Sequence, residues 1–338
     1  MARVFLTGGS GFIGGELVSA LVKRGEEVVG LARTDASARA LAARGARVVR
    51  GDVLDANALA AGMAGCELVH HVAGVNSHCP QDPVRLMRVN VTGAENVVHA
   101  AARTGIARVV FTSSAAAIGE AEGTIGTEDS PHRGSYLSVY DRSKCESERV
   151  AFSAAAQTGV QVVALNPSSV QGPPRRGGNG AIIIAFLNGR LPAFVDTHVS
   201  VVDVQDVVAA HVLAATRGDS RQRYLLNGAT LSSVEALQLV SSLSGIHHRV
   251  PLVPPRLARA GATILDWMFN LRGRTSPICR GRVDTILHGH RYDGSLATRE
   301  LGLRYTPVAD TFCRTIEWAV AEGLITRPLP LAGTAVVE

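Results

Sequence analysis

The chain opens with Met1-Ala-Arg-Val-Phe-Leu-Thr7-Gly8-Gly-Ser-Gly11-Phe-Ile-Gly14, and this stretch decides the fold. The apolar residues from Val4 to Leu6 predict a buried strand, and the periodicity from Phe12 to Val22 predicts a helix directly after the glycines. Glycines at this spacing allow a tight turn, close approach of the backbone to a pyrophosphate and close packing of helix on strand. Because free N–H groups at a helix start attract anions, we interpret the stretch as a dinucleotide-binding loop and not as an ordinary glycine-rich turn.

Beyond Gly14 the sequence alternates short apolar runs with helical periods. The runs predict strands at residues 27–33, 47–50, 67–73, 108–113 and 160–166, and the periods predict helices at 36–44, 55–63, 82–104 and 140–158. Continuous apolar strands between helices are typical of a parallel sheet that is covered on both faces and binds its ligand at the carboxyl ends of the strands. We therefore predict an α/β fold with a Rossmann-type doubly wound parallel sheet.

The alternation breaks after Pro167, where a turn-rich basic linker follows at 173–180. Downstream we predict helices at 181–188, 203–216, 232–243, 256–271, 295–301 and 308–322, and strands at 191–195, 199–202 and 224–227. Residues 1–166 plus 200–227 are expected to form the dinucleotide-binding Rossmann domain. Residues 167–199 plus 228–326 are expected to form a smaller C-terminal substrate-binding α/β lobe, and residues 327–338 a flexible tail.

The composition argues against several classes of protein. Of 338 residues, 46% are hydrophobic and 4% aromatic, and no apolar run approaches the roughly 20 residues of a membrane span. The net charge of +5 is spread along the chain and not concentrated on one helix face or tail, so we expect no nucleic-acid partner. The apolar and basic segment 256–271 could lie on a membrane surface, although a lid or a dimer contact is the commoner role for such a stripe.

Cysteines and histidines give no pattern for a metal site. The five cysteines are scattered, odd in number and without Cys-x-x-Cys spacing: Cys66, Cys79, Cys145, Cys279 and Cys313. This pattern argues against both a disulfide framework and a zinc site. His70 and His71 are adjacent on a predicted strand and point to opposite faces, so we expect packed histidines and no metal. With no basic-then-apolar leader at the N-terminus, a cytoplasmic location is the simplest expectation.

The end of the second strand bears on the choice of dinucleotide. Sites for NAD usually carry an acidic residue there that holds the ribose 2′-hydroxyl, whereas an arginine accommodates the 2′-phosphate of NADP. Arg33 therefore favours NADP(H), while Asp35 as a displaced acid leaves NAD(H) as the alternative. After the third strand, Asp52 could accept a hydrogen bond from the adenine amino group or simply cap the next turn.

Three residues carry the predicted chemistry. Tyr140 and Lys144 are four residues apart, so on a helix the phenol and the ammonium share one face. A nearby ammonium stabilises phenolate and lowers the tyrosine pKa toward the working pH, where the group exchanges protons efficiently. Lys23 and Lys144 are the only lysines of an arginine-rich chain, which favours a functional Lys144 over a chance pair. Ser114, at the end of the fifth strand, could hold the carbonyl oxygen that Tyr140 protonates.

Together these motifs resemble an extended short-chain dehydrogenase/reductase, from residue 1 to about residue 325. The resemblance rests on Thr7-Gly-x-x-Gly-x-x-Gly14, Asp52, His71-Val-Ala73-Gly74, Asn90-Val-Thr-Gly93, Thr112-Ser-Ser114, Tyr140-x-x-x-Lys144, Asn166-Pro-Ser-Ser-Val-Gln-Gly172-Pro173 and 199–208. The chain is similar to the branch that holds dihydroflavonol reductase, 3β-hydroxysteroid dehydrogenase and hopanoid-associated epimerase-like proteins. Asn166-Pro167 supports this placement, because sugar-nucleotide epimerases usually carry Arg-Pro there.

The resemblance implies a role for each matching residue. Ser114, Tyr140 and Lys144 match the catalytic triad of the family, and Asn90 matches a supporting position. The residues implied to bind the dinucleotide are Thr7, Gly8, Ser10, Gly11, Phe12, Ile13, Gly14, Arg33, Asp52, Val53, Val72, Ala73, Thr112, Tyr140, Lys144, Asn166 and Pro167.

The sequence thus predicts an NADP(H)-dependent oxidoreductase that reduces a ketone or aldehyde of a small to medium, partly apolar metabolite, or oxidises the matching alcohol. The alternatives are an NAD-dependent sugar-nucleotide epimerase or dehydratase and a non-catalytic nucleotide-binding sensor, although the intact triad argues against the sensor. The resemblance also implies a homodimer. Arg175 and Arg176 of the basic linker could contact an anionic substrate group or be solvated.

Overall fold

The computed structural model describes residues 2–175, 177–272 and 279–330. Its strands, in chain order, are β1 (Arg3–Thr7), β2 (Glu27–Ala32), β3 (Arg47–Arg50), β4 (Leu68–His71), β5 (Arg108–Thr112), β6 (Gln161–Pro167), β7 (Ser169–Gln171), β8 (Phe194–Val195), β9 (His198–Asp203), β10 (Arg223–Leu226), β11 (Ala229–Ser232) and β12 (Leu252–Val253). Its helices are α1 (Phe12–Lys23), α2 (Asp35–Ala42), α3 (Ala56–Met63), α4 (Pro83–Met87), α5 (Gly93–Arg103), α6 (Val139–Thr158), α7 (Asn179–Leu187), α8 (Val204–Ala214), α9 (Ser233–Ser244), α10 (Pro255–Asn270), α11 (Arg280–His288) and α12 (Val308–Ala321).

Seven strands form one parallel sheet in the order β10-β6-β5-β4-β1-β2-β3. From β1 the chain first winds outward to β2 and β3 and then returns to place β4 on the other side of β1. Thr7 at the end of β1 lies opposite Leu31 of β2 and His71 of β4. The order of the strands therefore reverses next to the glycine loop, and a ligand crevice forms at such a switch point.

Helices cover both faces of this sheet. On one face, Leu59 of α3 and Val97 of α5 pack with Phe5 of β1 in a fully buried core. On the other face, Leu17 of α1 and Leu41 of α2 form a second core. The predicted α/β fold with a doubly wound parallel sheet is confirmed.

The predicted elements of the first half are present with their ends shifted by one or two residues. The main difference lies in the helix predicted at 82–104. It consists of α4, a π-helical turn at Arg88–Thr92 and α5. Asn90 lies in the π-helical turn, where the local change of helical pitch accommodates a residue of low helix propensity.

The second half adds a smaller α/β lobe with a core of its own. β9 pairs antiparallel with β11 and parallel with β7, and β8 pairs with β12. Phe186 of α7, Val240 of α9 and Phe312 of α12 pack together beside this small sheet. The strand predicted at 191–195 is present only as β8, and α11, β7, β11 and β12 were not predicted. These strands are two to four residues long and give no periodic signal.

The helix predicted at 256–271 is α10, and it carries an exposed apolar face. Leu257, Ile264 and Trp267 of α10 are 65%, 58% and 63% exposed. Across the described ranges, no helix combines the length and the apolar character that crossing a membrane requires. Residues 331–338 of the predicted tail lie outside the described residues.

Candidate active site

The glycine loop joins β1 to α1 at the carboxyl edge of the sheet. Gly8 has a φ of +77°, and a Cβ built on it would lie 2.6 Å from the backbone nitrogen of Ala73. A Cβ on Gly14 would lie 2.2 Å from the carbonyl oxygen of Gly8. Both positions therefore require glycine for the close packing of strand, loop and helix.

The start of α1 fits the pyrophosphate of a dinucleotide. Its N-cap residue is Gly11, no side chain caps the first turn, and no acidic residue lies there. The first N–H groups of a helix have no partner within it, so those of Phe12 and Ile13 would hold the anion. Ser10 is exposed beside them.

Hydrogen bonds fasten the end of β1 to the end of β4. Thr7 Oγ1 lies 2.7 Å from His71 Nδ1 and accepts a hydrogen bond from the Ala73 N–H at 3.2 Å. The Val72 N–H donates to the Thr7 carbonyl oxygen at 3.2 Å. Burial, reinforced by Lys144, lowers the pKa of His71 to about 3. His71 is thus a neutral histidine that positions Thr7.

His70 faces the opposite side of the sheet from His71. His70 Nδ1 lies 3.3 Å from His211 Nδ1, and His211 Nε2 lies 2.8 Å from Thr112 Oγ1. The Thr112 hydroxyl is therefore directed toward α8. For the predicted contact of Thr112 with the cofactor, only its backbone remains available. Val53 likewise turns its side chain into the core, where a Cβ on Gly93 would lie 2.8 Å from Val53 Cγ2.

The charged residues after β2 and β3 are paired. Arg33 Nη1 lies 3.7 Å from Asp52 Oδ2, and the Arg33 side chain is 53% exposed. Asp52 Oδ1 also accepts a hydrogen bond from the Leu54 N–H at 3.1 Å, so Asp52 caps the turn. Asp35, the first residue of α2, pairs with Arg50 of β3. Arg33 and not Asp35 therefore lies next to Asp52 at the end of the sheet.

The Ser114 hydroxyl lies beside the Tyr140 phenol and acts to lower its pKa. Ser114 precedes a 3₁₀ turn after β5, and Tyr140 is the second residue of α6 and is buried. Burial raises the pKa of Tyr140 to about 12, against the lowering effects of the Ser114 hydroxyl and the Arg175 charge. The prediction that Lys144 brings this pKa down to the working pH is therefore wrong, because burial of the phenol dominates.

Lys144 lies one helical turn after Tyr140. Its Nζ donates a hydrogen bond to the Thr112 carbonyl oxygen at 3.0 Å and lies 5.6 Å from the centre of the Phe111 ring. Burial lowers the pKa of Lys144 to about 8, and Glu148 opposes this shift. Thr112 thus contributes to the site by holding the ammonium.

Asn90 connects the loop after β4 to α6. Its Oδ1 accepts a hydrogen bond from the Val75 N–H at 2.7 Å, and its Nδ2 donates to the Val75 carbonyl oxygen at 3.1 Å and to Ser143 Oγ at 2.9 Å. The side chain is buried. Asn90 therefore uses its whole amide to position Val75 and the residue next to Lys144.

The Asn166 side chain holds the backbone of Ser114 in place by a hydrogen bond. Its Nδ2 donates to the Ser114 carbonyl oxygen at 3.0 Å and to Glu148 Oε2 at 2.7 Å. Asn166 is fully buried, and Pro167 ends β6 directly after it. The predicted cofactor contact Asn166 is thus also a residue that fixes the backbone of Ser114.

Two residues outside the predicted set lie near Tyr140. The His78 ring stands edge-on to the Tyr140 ring at 5.0 Å, and His78 Nδ1 lies 3.4 Å from Ser138 Oγ. The guanidinium carbon of Arg175 lies 5.2 Å from the centre of the Phe12 ring. His78 belongs to an irregular loop, and no periodic pattern in the sequence indicated a role for it. Arg175 belongs to the basic linker, which the sequence did suggest as a candidate contact for an anionic substrate group. Arg176 lies outside the described residues.

Cys79 and Cys279 form a disulfide with their Cα atoms 5.7 Å apart. It joins the loop that contains His78 to the residue before α11. The prediction that the cysteines form no disulfide framework is wrong for this pair. The two residues are 200 positions apart, and spacing patterns reveal only local frameworks.

A family model described as the NAD dependent epimerase/dehydratase family matches residues 4–226. A Synechocystis sp. protein provisionally named dihydroflavonol 4-reductase is 33% identical over 330 residues, which cover 95% of each chain. The 4-hydroxy-2-methyl-3-oxo-4-farnesyl-3,4-dihydroquinoline-1-oxide ketoreductase of Stigmatella aurantiaca is 30% identical over 307 residues, 89% of this chain and 91% of that one. The crystal structure of gox2253 has a TM-score of 0.84 at 26% identity and covers 96% of this chain and 100% of its own.

Proposed function

Because the chain belongs to the NAD-dependent epimerase/dehydratase family of extended short-chain dehydrogenase/reductases, we propose that it is an NADP(H)-dependent carbonyl reductase. It reduces a ketone or aldehyde of a small to medium, partly apolar metabolite, or oxidises the matching alcohol. The observation that carries this proposal is the half-buried Ser114 hydroxyl beside the buried Tyr140 phenol, next to the crevice that suits a dinucleotide. A nucleotide sensor has no need of such a pair.

In this proposal Tyr140 donates a proton to the carbonyl oxygen, and Ser114 orients that oxygen through a hydrogen bond. The phenol holds its proton at neutral pH because burial raises its pKa to about 12. The nicotinamide ring, when bound, supplies the hydride. Lys144 places a positive charge one turn away, and its bond to the Thr112 carbonyl oxygen keeps it there.

The preference for NADP(H) is proposed from Arg33. Its guanidinium is half-exposed at the end of the sheet, while Asp35 pairs with Arg50. A hydrogen bond to a charged group contributes about 1.5–3 kcal/mol, so Arg33→Ser should raise the KM for NADPH about ten- to hundredfold and leave that for NADH nearly unchanged. Arg47→Ser, an exposed arginine at the start of β3, is the control. An unchanged ratio of the two KM values would refute the assignment.

The substrate class is supported by the relatives. One is a ketoreductase whose substrate name contains a farnesyl group, and another carries the name of a dihydroflavonol reductase. Both names describe a carbonyl on a body with substantial apolar surface. A panel of ketones, aldehydes and steroids with NADPH therefore tests the class directly.

Replacement of Tyr140 tests the mechanism. General acid catalysis contributes about 10²–10⁴-fold, so Tyr140→Phe should reduce kcat by that factor while NADPH binding stays nearly intact. Tyr136→Phe is the matched control, because Tyr136 is 43% exposed and precedes the same helix. Full turnover by Tyr140→Phe would refute the proposal.

A sugar-nucleotide epimerase or dehydratase is the second candidate, and the description of the matching family model favours it. Such an enzyme keeps NAD bound and shows no net redox change. Tightly bound NAD in the purified protein, together with conversion of a nucleotide sugar without added NADPH, would support this candidate. A strict requirement for added NADPH would support the reductase.

The organisation of the protein is also proposed. We infer a homodimer, a cytoplasmic location and a domain boundary near residue 167, with 200–227 returning to the first domain. Because disulfides are rare in a reducing cytoplasm, this location predicts that Cys79 and Cys279 are thiols in the cell and pair on oxidation. Sedimentation of the full chain tests the dimer, and limited proteolysis tests the boundary.

A further inference from the structure

Three metal-ligating side chains come together outside the catalytic residues. Glu120 follows the 3₁₀ turn after Ser114 and is 1% exposed. Its Oε1 lies 3.3 Å from His288 Nε2 and 2.5 Å from His290 Nδ1. The ligand atoms of the three residues all lie within 4.8 Å of one another.

The backbone explains why two histidines face one carboxylate. His288 is the last residue of α11, and Gly289 after it adopts a φ of +66°. This left-handed residue ends the helix and reverses the chain, so that His288 and His290 both approach Glu120. A Cβ at Gly289 would lie 3.2 Å from Thr197 Oγ1, which leaves little room for another residue there.

Hydrogen bonds alone leave this cluster unsatisfied. Among the described residues, Glu120 Oε2 is buried and has no hydrogen-bond partner, and the 3.3 Å contact of His288 Nε2 with Glu120 Oε1 lacks the geometry of a hydrogen bond. The His288 side chain is 5% exposed, so bulk water does not replace the missing partner. Buried polar atoms are nearly always bonded, and these two point to a further ligand between the residues.

We propose that Glu120, His288 and His290 bind a divalent transition-metal ion of the zinc class. Two histidines and a carboxylate form a common zinc-binding set with metal bonds of about 2.0–2.2 Å. Two such ligands of a tetrahedral ion lie about 3.3 Å apart, which matches the Glu120–His288 separation of 3.3 Å. The Glu120–His290 pair is closer and widens by less than an ångström when the ion enters between its atoms.

The ion fastens two distant parts of the chain. Glu120 extends from the segment that begins at Ser114, and His288 and His290 belong to the C-terminal part. Tyr292 Oη lies 2.9 Å from His290 Nδ1, a contact that the ion replaces when it binds this nitrogen. In the proposed site the ion connects these two parts of the chain, and a water molecule takes its open fourth position.

Calorimetric titration of the full chain with Zn²⁺, after dialysis against EDTA, tests the proposal without any measurement of activity. We expect one strong site per chain. Glu120→Gln, which conserves shape, and His288→Ala should each weaken binding at least a hundredfold. His99→Ala, a part-exposed histidine of α5, is the control and should bind as the unchanged protein does.

Substitution with Co²⁺ identifies the ligands independently. A four-coordinate Co²⁺ site gives a visible absorption band, which should appear with the unchanged protein and disappear in Glu120→Gln. Circular dichroism verifies that each variant is folded. Absence of a strong zinc site in the unchanged protein, or equal affinity in folded Glu120→Gln and His288→Ala, would overturn the proposal. Loss of reductase activity has no bearing on either result.

Discussion

Replacement of Asn90 by alanine should lower both the stability and the turnover of the protein. The substitution removes three hydrogen bonds, two to Val75 and one to Ser143, from a buried position. A neutral hydrogen bond contributes about 0.5–1.5 kcal/mol net, so three amount to about 2–4 kcal/mol of the free energy of unfolding. Asn90→Asp keeps the acceptor for the Val75 N–H but loses the donors to the Val75 carbonyl oxygen and to Ser143 Oγ. The loss of these two hydrogen bonds should destabilise this variant as well.

The catalytic effect follows from what these contacts hold. A Cβ built on Gly74, the residue before Val75, would lie 3.6 Å from Lys144 Nζ. Ser143 is the residue before Lys144 on α6. Loss of the amide therefore frees the loop and the helix on either side of the ammonium. A displacement of about 1 Å at a catalytic group can cost about 10²-fold, so we expect kcat to fall ten- to hundredfold.

Urea unfolding monitored by circular dichroism measures the stability, and turnover of a ketone with NADPH measures kcat. Asn57→Ala is the control, since Asn57 is an exposed residue of α3. If Asn90→Ala unfolded within about 0.5 kcal/mol of this control and kept its kcat, the amide would not position the site as argued.

Three further predictions follow from burial and close packing. Gly8→Ala places a Cβ 2.6 Å from the Ala73 nitrogen at a φ of +77°, so NADPH binding measured by fluorescence should be lost or strongly weakened. The pKa of His71 is about 3 in the folded protein against 6.5 in the unfolded chain. Its contribution to the free energy of unfolding is therefore fully present above pH 6.5 and falls by up to about 1.4 kcal/mol per pH unit toward pH 3. His71→Gln should remove this contribution from the slope in urea unfolding series and leave that of the buried His70, whereas His99→Gln should leave the slope unchanged. Because Tyr140 keeps its proton until about pH 12, alcohol oxidation should accelerate with rising pH while carbonyl reduction stays level near neutral pH; an oxidation rate that is flat above pH 7 would contradict this.

Local signals account for what the sequence predicted well. The order of strands and helices could be predicted because each element carries its own apolar period. The proximity of Tyr140 to Ser114 was predictable from the resemblance to the family, and both residues follow β5, which ends at the ligand-binding edge of the parallel sheet. The glycine positions were predictable for the same reason, because the motif is contiguous.

Properties set by distant residues could not be predicted in this way. The pKa of Tyr140 depends on how deeply the phenol is buried, and the four-residue spacing to Lys144 contains no information on burial. The partner of Cys79 is 200 residues away, and Glu120 meets His290 from 170 positions earlier in the chain. Each of these contacts is decided by how the C-terminal part packs on the first sheet, for which the sequence offers no regular period.

Burial acts in opposite directions on two groups that lie one helical turn apart. It raises the pKa of the Tyr140 phenol to about 12 and lowers that of the Lys144 ammonium to about 8. At neutral pH the phenol therefore keeps its proton and the ammonium keeps its charge, which is the pair of states that proton donation to a carbonyl requires. Oxidation of an alcohol needs the phenolate, which the same burial penalises. The positive charge of Arg175, which lowers the pKa of Tyr140, limits the cost of the phenolate, which is left after reduction and acts as the base in oxidation.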